Sequence, residues 1–148
     1  STLGMIGFGV PFSFGARVAL PDSKIVLMTG DGAFGFNGME LDTAVRHNLP
    51  IIGILGNDAA WGIDRQIQLG VYGKPVATDL LPTRYDQVVS GLGGYGEYVE
   101  SPDELPGAIE RALSSGLPAL LNVMVQRAIS PRAEAAVARW RSRIIQPF

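Results

Sequence analysis

With 148 residues, 47% of them apolar and 18% charged, the chain suits a single domain that can bury a sizeable core. A net charge of −2 argues against a nucleic-acid or polybasic-membrane partner. The apolar runs, residues 49–56 among them, are too short to span a bilayer, and the opening residues do not read as a signal peptide. The absence of cysteine removes disulfide and thiolate chemistry and fits a cytoplasmic location. The start, Ser1-Thr2-Leu3-Gly4-Met5-Ile6-Gly7, reads as the interior of a domain, so a piece of a longer protein is expected.

Residues 5–19 read as a buried, glycine-rich helix ending near Leu20-Pro21-Asp22. Residues 25–29 form a short apolar run of strand formers that stops at Gly30-Asp31-Gly32. Asn37, with Glu40 three positions on, reads as a capping pair for the next helix, whose apolar face is Leu41, Ala44 and Val45. Asn48 and Pro50 close it. Residues 51–55 are nearly all apolar, as a strand buried on both faces should be, and end at Gly56-Asn57-Asp58. A short helix over 62–69 leads through Gly73-Lys74-Pro75 into a polar loop. Tyr85, Val88, Val89 and Leu92 fall at helical spacing before Gly93-Gly94. Residues 95–99 read as a strand. Ser101-Pro102-Asp103-Glu104 is a strong helix start, with Leu105, Ala108, Ile109, Ala112 and Leu113 on one face and Gly116 as the stop. Residues 119–125 are the last strand. Ala133, Val137, Trp140 and Ile144 then mark an amphipathic tail helix with arginines opposite. The expected division is a ligand-binding domain over 1–128 and a helical tail over 129–148.

Strands alternating with helices through short loops predict an α/β fold, a parallel sheet with helices on both faces. Ligands in such folds lie beyond the carboxyl ends of the strands. Gly30-Asp31-Gly32 and Gly56-Asn57-Asp58 both stand at such ends, one strand-helix-strand step apart. Two carboxylates meeting there are hard oxygen ligands for Mg2+ or Ca2+. Gly32 and Ala33 lead towards a helix amino end, where free amides and the dipole favour a phosphate.

Gly30-Asp31-Gly32, a spacer and then Asn57-Asp58 resembles the signature of thiamine-diphosphate-dependent enzymes, which runs from GDG to a terminal NN. The resemblance extends over essentially the whole chain and matches the diphosphate-binding domain of that family. It implies thiamine diphosphate and Mg2+ as cofactors, with Asp31, Asp58 and the backbone carbonyl of Ala60 as metal ligands. Asp58 replaces the usual Asn, which keeps an oxygen ligand and adds a negative charge. Gly4-Met5-Ile6-Gly7-Phe8-Gly9-Val10-Pro11 is similar to the family's glycine-rich stretch beside the aminopyrimidine, with Ile6 as the bulky residue under the bent cofactor. The alternative for that stretch is a tightly packed helix start. Gly30, Gly32, Ala33, Trp61, Gly62 and Ile63 complete the implied cofactor contacts. Trp61 is either a wall of the substrate pocket or a packing residue.

The family's activating glutamate comes from a pyrimidine-binding domain of a neighbouring subunit, so no catalytic residue is expected in this chain, and Glu40 is better read as a cap. The expected partners are therefore amino-terminal domains of the same polypeptide and a second subunit, in a homodimer or homotetramer. Residues 34–40, 84–86 and 101–105 look most like the oxalyl-CoA decarboxylase and 2-hydroxyacyl-CoA lyase branch, whereas 61–76 looks as much like benzaldehyde lyase and the first half like acetolactate synthase. The activity the resemblance favours is that of a 2-hydroxyacyl-CoA lyase, which cleaves a 2-hydroxyacyl-CoA to an aldehyde or ketone and formyl-CoA. The alternative is an acetolactate-synthase-like or benzaldehyde-lyase-like carboligation or decarboxylation of a 2-oxoacid. His47 at a helix end and the arginines 132, 139, 141 and 143 read as solvated charges, the latter with contact to a coenzyme A thioester as the alternative. A Rossmann dinucleotide site is disfavoured, because Gly7-Phe8-Gly9 precedes the first strand and Gly30-Asp31-Gly32 lacks the third glycine. A non-catalytic copy of the domain remains the non-enzyme reading.

Overall fold

The computed structural model describes residues 4–129 and 131–144, and for residues 132, 133 and 141–144 the backbone only. Four strands, β1 (Val26–Gly30), β2 (Ile52–Asn57), β3 (Tyr95–Val99) and β4 (Ala119–Met124), form one sheet in the order β1-β2-β4-β3. Every pairing is parallel. Among the described residues the helices are α1 (Gly9–Ala19), α2 (Asp31–Asn37), α3 (Leu41–Arg46), α4 (Gly62–Tyr72), α5 (Tyr85–Gly91), α6 (Leu105–Ser115) and α7 (Pro131–Ile144). The α/β architecture read from the alternation is the one the chain forms.

The sheet separates two cores. On one face Val10 and Phe14 of α1, Phe34 of α2, Leu41 and Ala44 of α3 and Val89 of α5 pack on Ile51, Leu55 and Leu120. On the other, Ala108 and Ala112 of α6 pack on Ile52, Val99, Ala119 and Leu121. Phe34 matters most for the site. It is buried edge-on against Tyr85, with ring centroids 5.4 Å apart, and anchors the helix whose first residue is Asp31. Removing so large a buried ring typically costs ~3–5 kcal/mol. The edge strand β1 is covered on one face only. Ile25 and Leu27 join the first core, while Val26 and Met28 point away, Met28 being 79% exposed.

Three local expectations need correction. The first helix begins at Gly9 rather than residue 5, because Gly7 holds φ +86° against the end of α2. A Cβ there would stand 2.7 Å from Cβ of Phe36, so position 7 is glycine for both reasons. Asn37 caps nothing. Its Nδ2 donates to the carbonyl of Gly7 at 3.1 Å, and Glu40 accepts from Thr43 Oγ1 at 2.7 Å. The helix expected after Asn37 begins instead at Asp31, passes through a 3-10 turn at Gly38–Glu40 and continues as α3. Leu113, expected on the buried face of α6, is 37% exposed. The Ser101 capping box is present, on a first turn that is 3-10.

The tail forms α7, which packs along α4 with Val137 against Gly70. Trp140 is exposed. The side chains of Ala133 and Ile144 and of arginines 132, 141 and 143 lie outside the described residues. Among the described residues no helix is long and apolar enough to cross a membrane.

Candidate functional site

Because β1 and β2 are parallel neighbours with Gly30 opposite Gly56, their carboxyl ends finish side by side. Asp31 is the first residue of α2 and only 2% exposed. Its Oδ1 accepts the Gly32 amide at 2.9 Å and its Oδ2 the Ala60 amide at 3.2 Å. Burial lifts its carboxyl above the ordinary 3.8, the Gly32 bond opposes this, and the charge of Asp58 lifts it further. Asp58 itself is half-buried, its Oδ2 so close to Gly62 that a Cβ there would stand 2.6 Å away. Asp31 and Asp58 line the same cleft, near enough for the charge of one to act on the other. A buried carboxylate facing a second one is an arrangement that a cation relieves, and the set of hard oxygens suits a small divalent ion.

The loop joining β2 to α4 is held from several sides. Asn57 Oδ1 accepts the Ala59 amide at 3.1 Å, and Ala59 sits at φ +52°, a conformation that costs a non-glycine residue about 1–2 kcal/mol. The Leu80 amide donates to the Ala59 carbonyl at 2.8 Å, and the Trp61 amide to the Thr78 carbonyl at 2.8 Å. Arg127, three residues past β4, donates Nε to the Asp58 carbonyl at 2.6 Å and Nη2 to the Ala59 carbonyl at 2.5 Å. Its Nη1 pairs with Asp79, which also binds Arg65. Beneath the loop, Asn57 Nδ2 donates to Asn122 Oδ1 at 3.1 Å. Asn122 Nδ2 donates to Asp86 Oδ1 at 3.1 Å, and Asp86 pairs with Arg84 at 2.7 Å.

A cleft of about 410 Å3 opens over the two acids, lined by Ile6, Gly30, Asp31, Gly32, Ala33, Asp58, Ala60, Trp61, Gly62 and Ile63 among others. Ten of the twelve residues singled out from the sequence therefore share one cavity. Gly4 and Met5 do not: both are exposed and outside the lining. The Gly32 amide, expected to face an anion, is taken by Asp31 Oδ1. Trp61 is half-buried, its ring over Gly32 and edge-on to Phe36 at 5.7 Å. It both packs and forms a wall, with a second cleft of about 270 Å3, bordered by Phe36, Leu80 and Tyr85, beside it. His47 is exposed at the carboxyl end of α3. Arg127 and Asn122 were not anticipated. An asparagine inside the apolar run Ala119-Leu120-Leu121-Asn122-Val123 signals a buried polar partner, whereas nothing local marks Arg127.

Residues 1–123 match the family described as thiamine pyrophosphate enzyme, C-terminal TPP binding domain. The chain belongs to this family. As a TPP binding domain it is 46% identical over 128 residues to a probable acetolactate synthase of Mycobacterium bovis, covering 86% of this chain and 23% of that protein. It is 38% identical over 128 residues to 2-hydroxyacyl-CoA lyase 2 of Caenorhabditis elegans, covering 82% and 20%. A 2-hydroxyacyl-CoA lyase of Oryza sativa is 36% identical over 130 residues, covering 84% and 22%. The TPP binding domain thus spans between a fifth and a quarter of the relatives it matches. Arg127 lies beyond the matched region yet touches the site.

Proposed function

We propose that this chain supplies the diphosphate-and-metal half of a thiamine-diphosphate-dependent site that cleaves or joins C–C bonds. The observation that carries the reading is the buried Asp31 carboxylate set against Asp58 at the floor of the cleft. Asp31, Asp58 and the Ala60 carbonyl would hold Mg2+. Gly30, Gly32 and Ala33 on one wall, with Gly62 and Ile63 at the uncapped amino end of α4, would flank the diphosphate. Ile6 lies where it would press on the cofactor, and Trp61 walls the space for substrate. When bound, the cofactor supplies a nucleophilic carbon and an electron sink. The chain's own residues neutralise, orient and partly exclude water. The activating glutamate, the remaining domains, a homodimeric or homotetrameric assembly and a cytoplasmic location belong to the same proposal.

Two substrate readings stand. The higher identity to the Mycobacterium bovis relative favours decarboxylation and ligation of 2-oxoacids. The resemblance of residues 34–40, 84–86 and 101–105 to the lyase branch, together with the lyase relatives, favours cleavage of a 2-hydroxyacyl-CoA to formyl-CoA and an aldehyde or ketone. The test uses the complete parent protein, titrated with thiamine diphosphate and Mg2+ beside an Asp31→Ala variant. The variant is expected to lose metal-dependent cofactor binding. Unchanged affinity removes the assignment. Acetolactate formation from pyruvate, measured against formyl-CoA release from a 2-hydroxyacyl-CoA, separates the substrates.

A further inference from the structure

We propose that Arg127 is a positioning residue for the metal-binding loop, a role that rests on the reading of Asp31 and Asp58 as metal ligands. The loop 57–60 has to turn sharply at the tip of β2, and it does so with Ala59 in the left-handed region, where a side chain is disfavoured. Such a conformation persists only where surrounding contacts over-determine it. Arg127 provides two of those contacts with one planar group. Nε and Nη2 reach the successive carbonyls of Asp58 and Ala59, a fork that a lysine cannot reproduce.

The guanidinium is itself held on its far side. Nη1 pairs with Asp79 at 2.9 Å, and Asp79 also receives Arg65 Nε at 2.9 Å from α4. Asp79 is joined to the loop a second time through its bridge to Ala60. The Val125 amide donates to the Asn57 carbonyl at 3.0 Å, so the segment leaving β4 runs alongside the loop before Arg127 turns onto it. Arg127 bonds to the backbone carbonyl of Asp58 rather than to its carboxylate, and Asp58 lines the cleft together with Asp31. The arginine thereby sets where the second carboxylate stands without occupying the ion's place. Outer-shell partners of this kind shift metal affinity by roughly 10–100-fold when removed.

The experiment measures Mn2+ and Mg2+ affinity of the complete parent protein, by electron paramagnetic resonance of free Mn2+ and competition with Mg2+. Circular dichroism and the thermal midpoint are recorded on metal-free samples. Arg127→Ala is expected to weaken Mn2+ binding at least tenfold while the metal-free dichroism is retained, and Arg127→Lys to fall in between. Should Arg127→Ala not fold, Arg127→Lys decides alone. Arg65→Ala removes the other arginine on Asp79 and no direct loop contact, and is expected to weaken metal binding far less than Arg127→Ala. Wild-type affinity in the folded Arg127 variants overturns the proposal, as does an equal loss in Arg65→Ala, which would assign the effect to the charge cluster at large. Asp31→Asn is the control on the underlying reading. If it binds Mn2+ as well as wild type, that reading fails. If it loses the ion while the Arg127 variants keep it, only the role of Arg127 fails.

Discussion

A Cβ at position 62 would stand 2.6 Å from Asp58 Oδ2, and the short aspartate side chain can make room only by moving its carboxylate. The glycine is the first residue of α4, where alanine favours the helix rather than opposing it. Gly62→Ala should therefore leave the metal-free fold intact and turn the Asp58 carboxylate out of its place. A drop in Mg2+ affinity of roughly tenfold or more is expected in the parent protein, measured by competition with Mn2+. Equal affinity in the variant would show that the tight approach does not fix the ligand. The pair Asp31 and Asp58 was legible in the sequence, because each follows a strand end and the two strands are neighbours. Arg127 was not, since 69 residues separate it from Asp58 and only the pairing of β2 with β4 brings them together.

The strands and α6 were legible because their signals are local: apolar runs of strand length, a capping box, a stopping glycine. The stretch 31–37 does not read as helix because its glycines argue against one, while the burial of Phe34 in the first core overrides propensity. Asn37 was misread because its amide has a partner 30 residues away rather than in the next turn. Beneath the site, the elements are joined by the buried chain Asn57, Asn122 and Asp86, which ends on the exposed Arg84, stacked 4.3 Å over Tyr98. Asn122→Ala removes a shared partner from Asn57 and Asp86, both buried, at an expected loss of about 2–4 kcal/mol in denaturant unfolding. Burial alone would raise the Asp86 carboxyl. The bonds from Arg84 and Asn122 outweigh it and hold the group below 3.8. Its contribution is thus present above that value and lost as pH falls through the lower folded one. In Asp86→Asn, unfolding followed between neutral pH and pH 2 should show lower stability at neutrality and a shallower decline on acidification. A decline as steep as wild type would assign the acid limb elsewhere.

On the scale of the whole molecule, the two strand tips with their acids form a weak point that a cation can turn into a strong one. A ligand that binds only the folded state adds about 2.7 kcal/mol of stability at a hundred times its dissociation constant. Mg2+ with thiamine diphosphate should raise the thermal midpoint of the parent protein accordingly. Chelation should reverse the rise, and Asp31→Asn should abolish it. A midpoint indifferent to both ligands in the wild type would count against any joint site. The order β1-β2-β4-β3 has a practical side as well. It carries the backbone leaving the last strand alongside the 57–60 turn before the closing helix docks on α4. A chimera or truncation cut just after Met124 would keep every strand and still sever the strap that fastens the 57–60 turn. Exchanges of this segment between relatives should place the junction downstream of residue 127, and a splice made earlier would deliver the four strands with a slackened binding site.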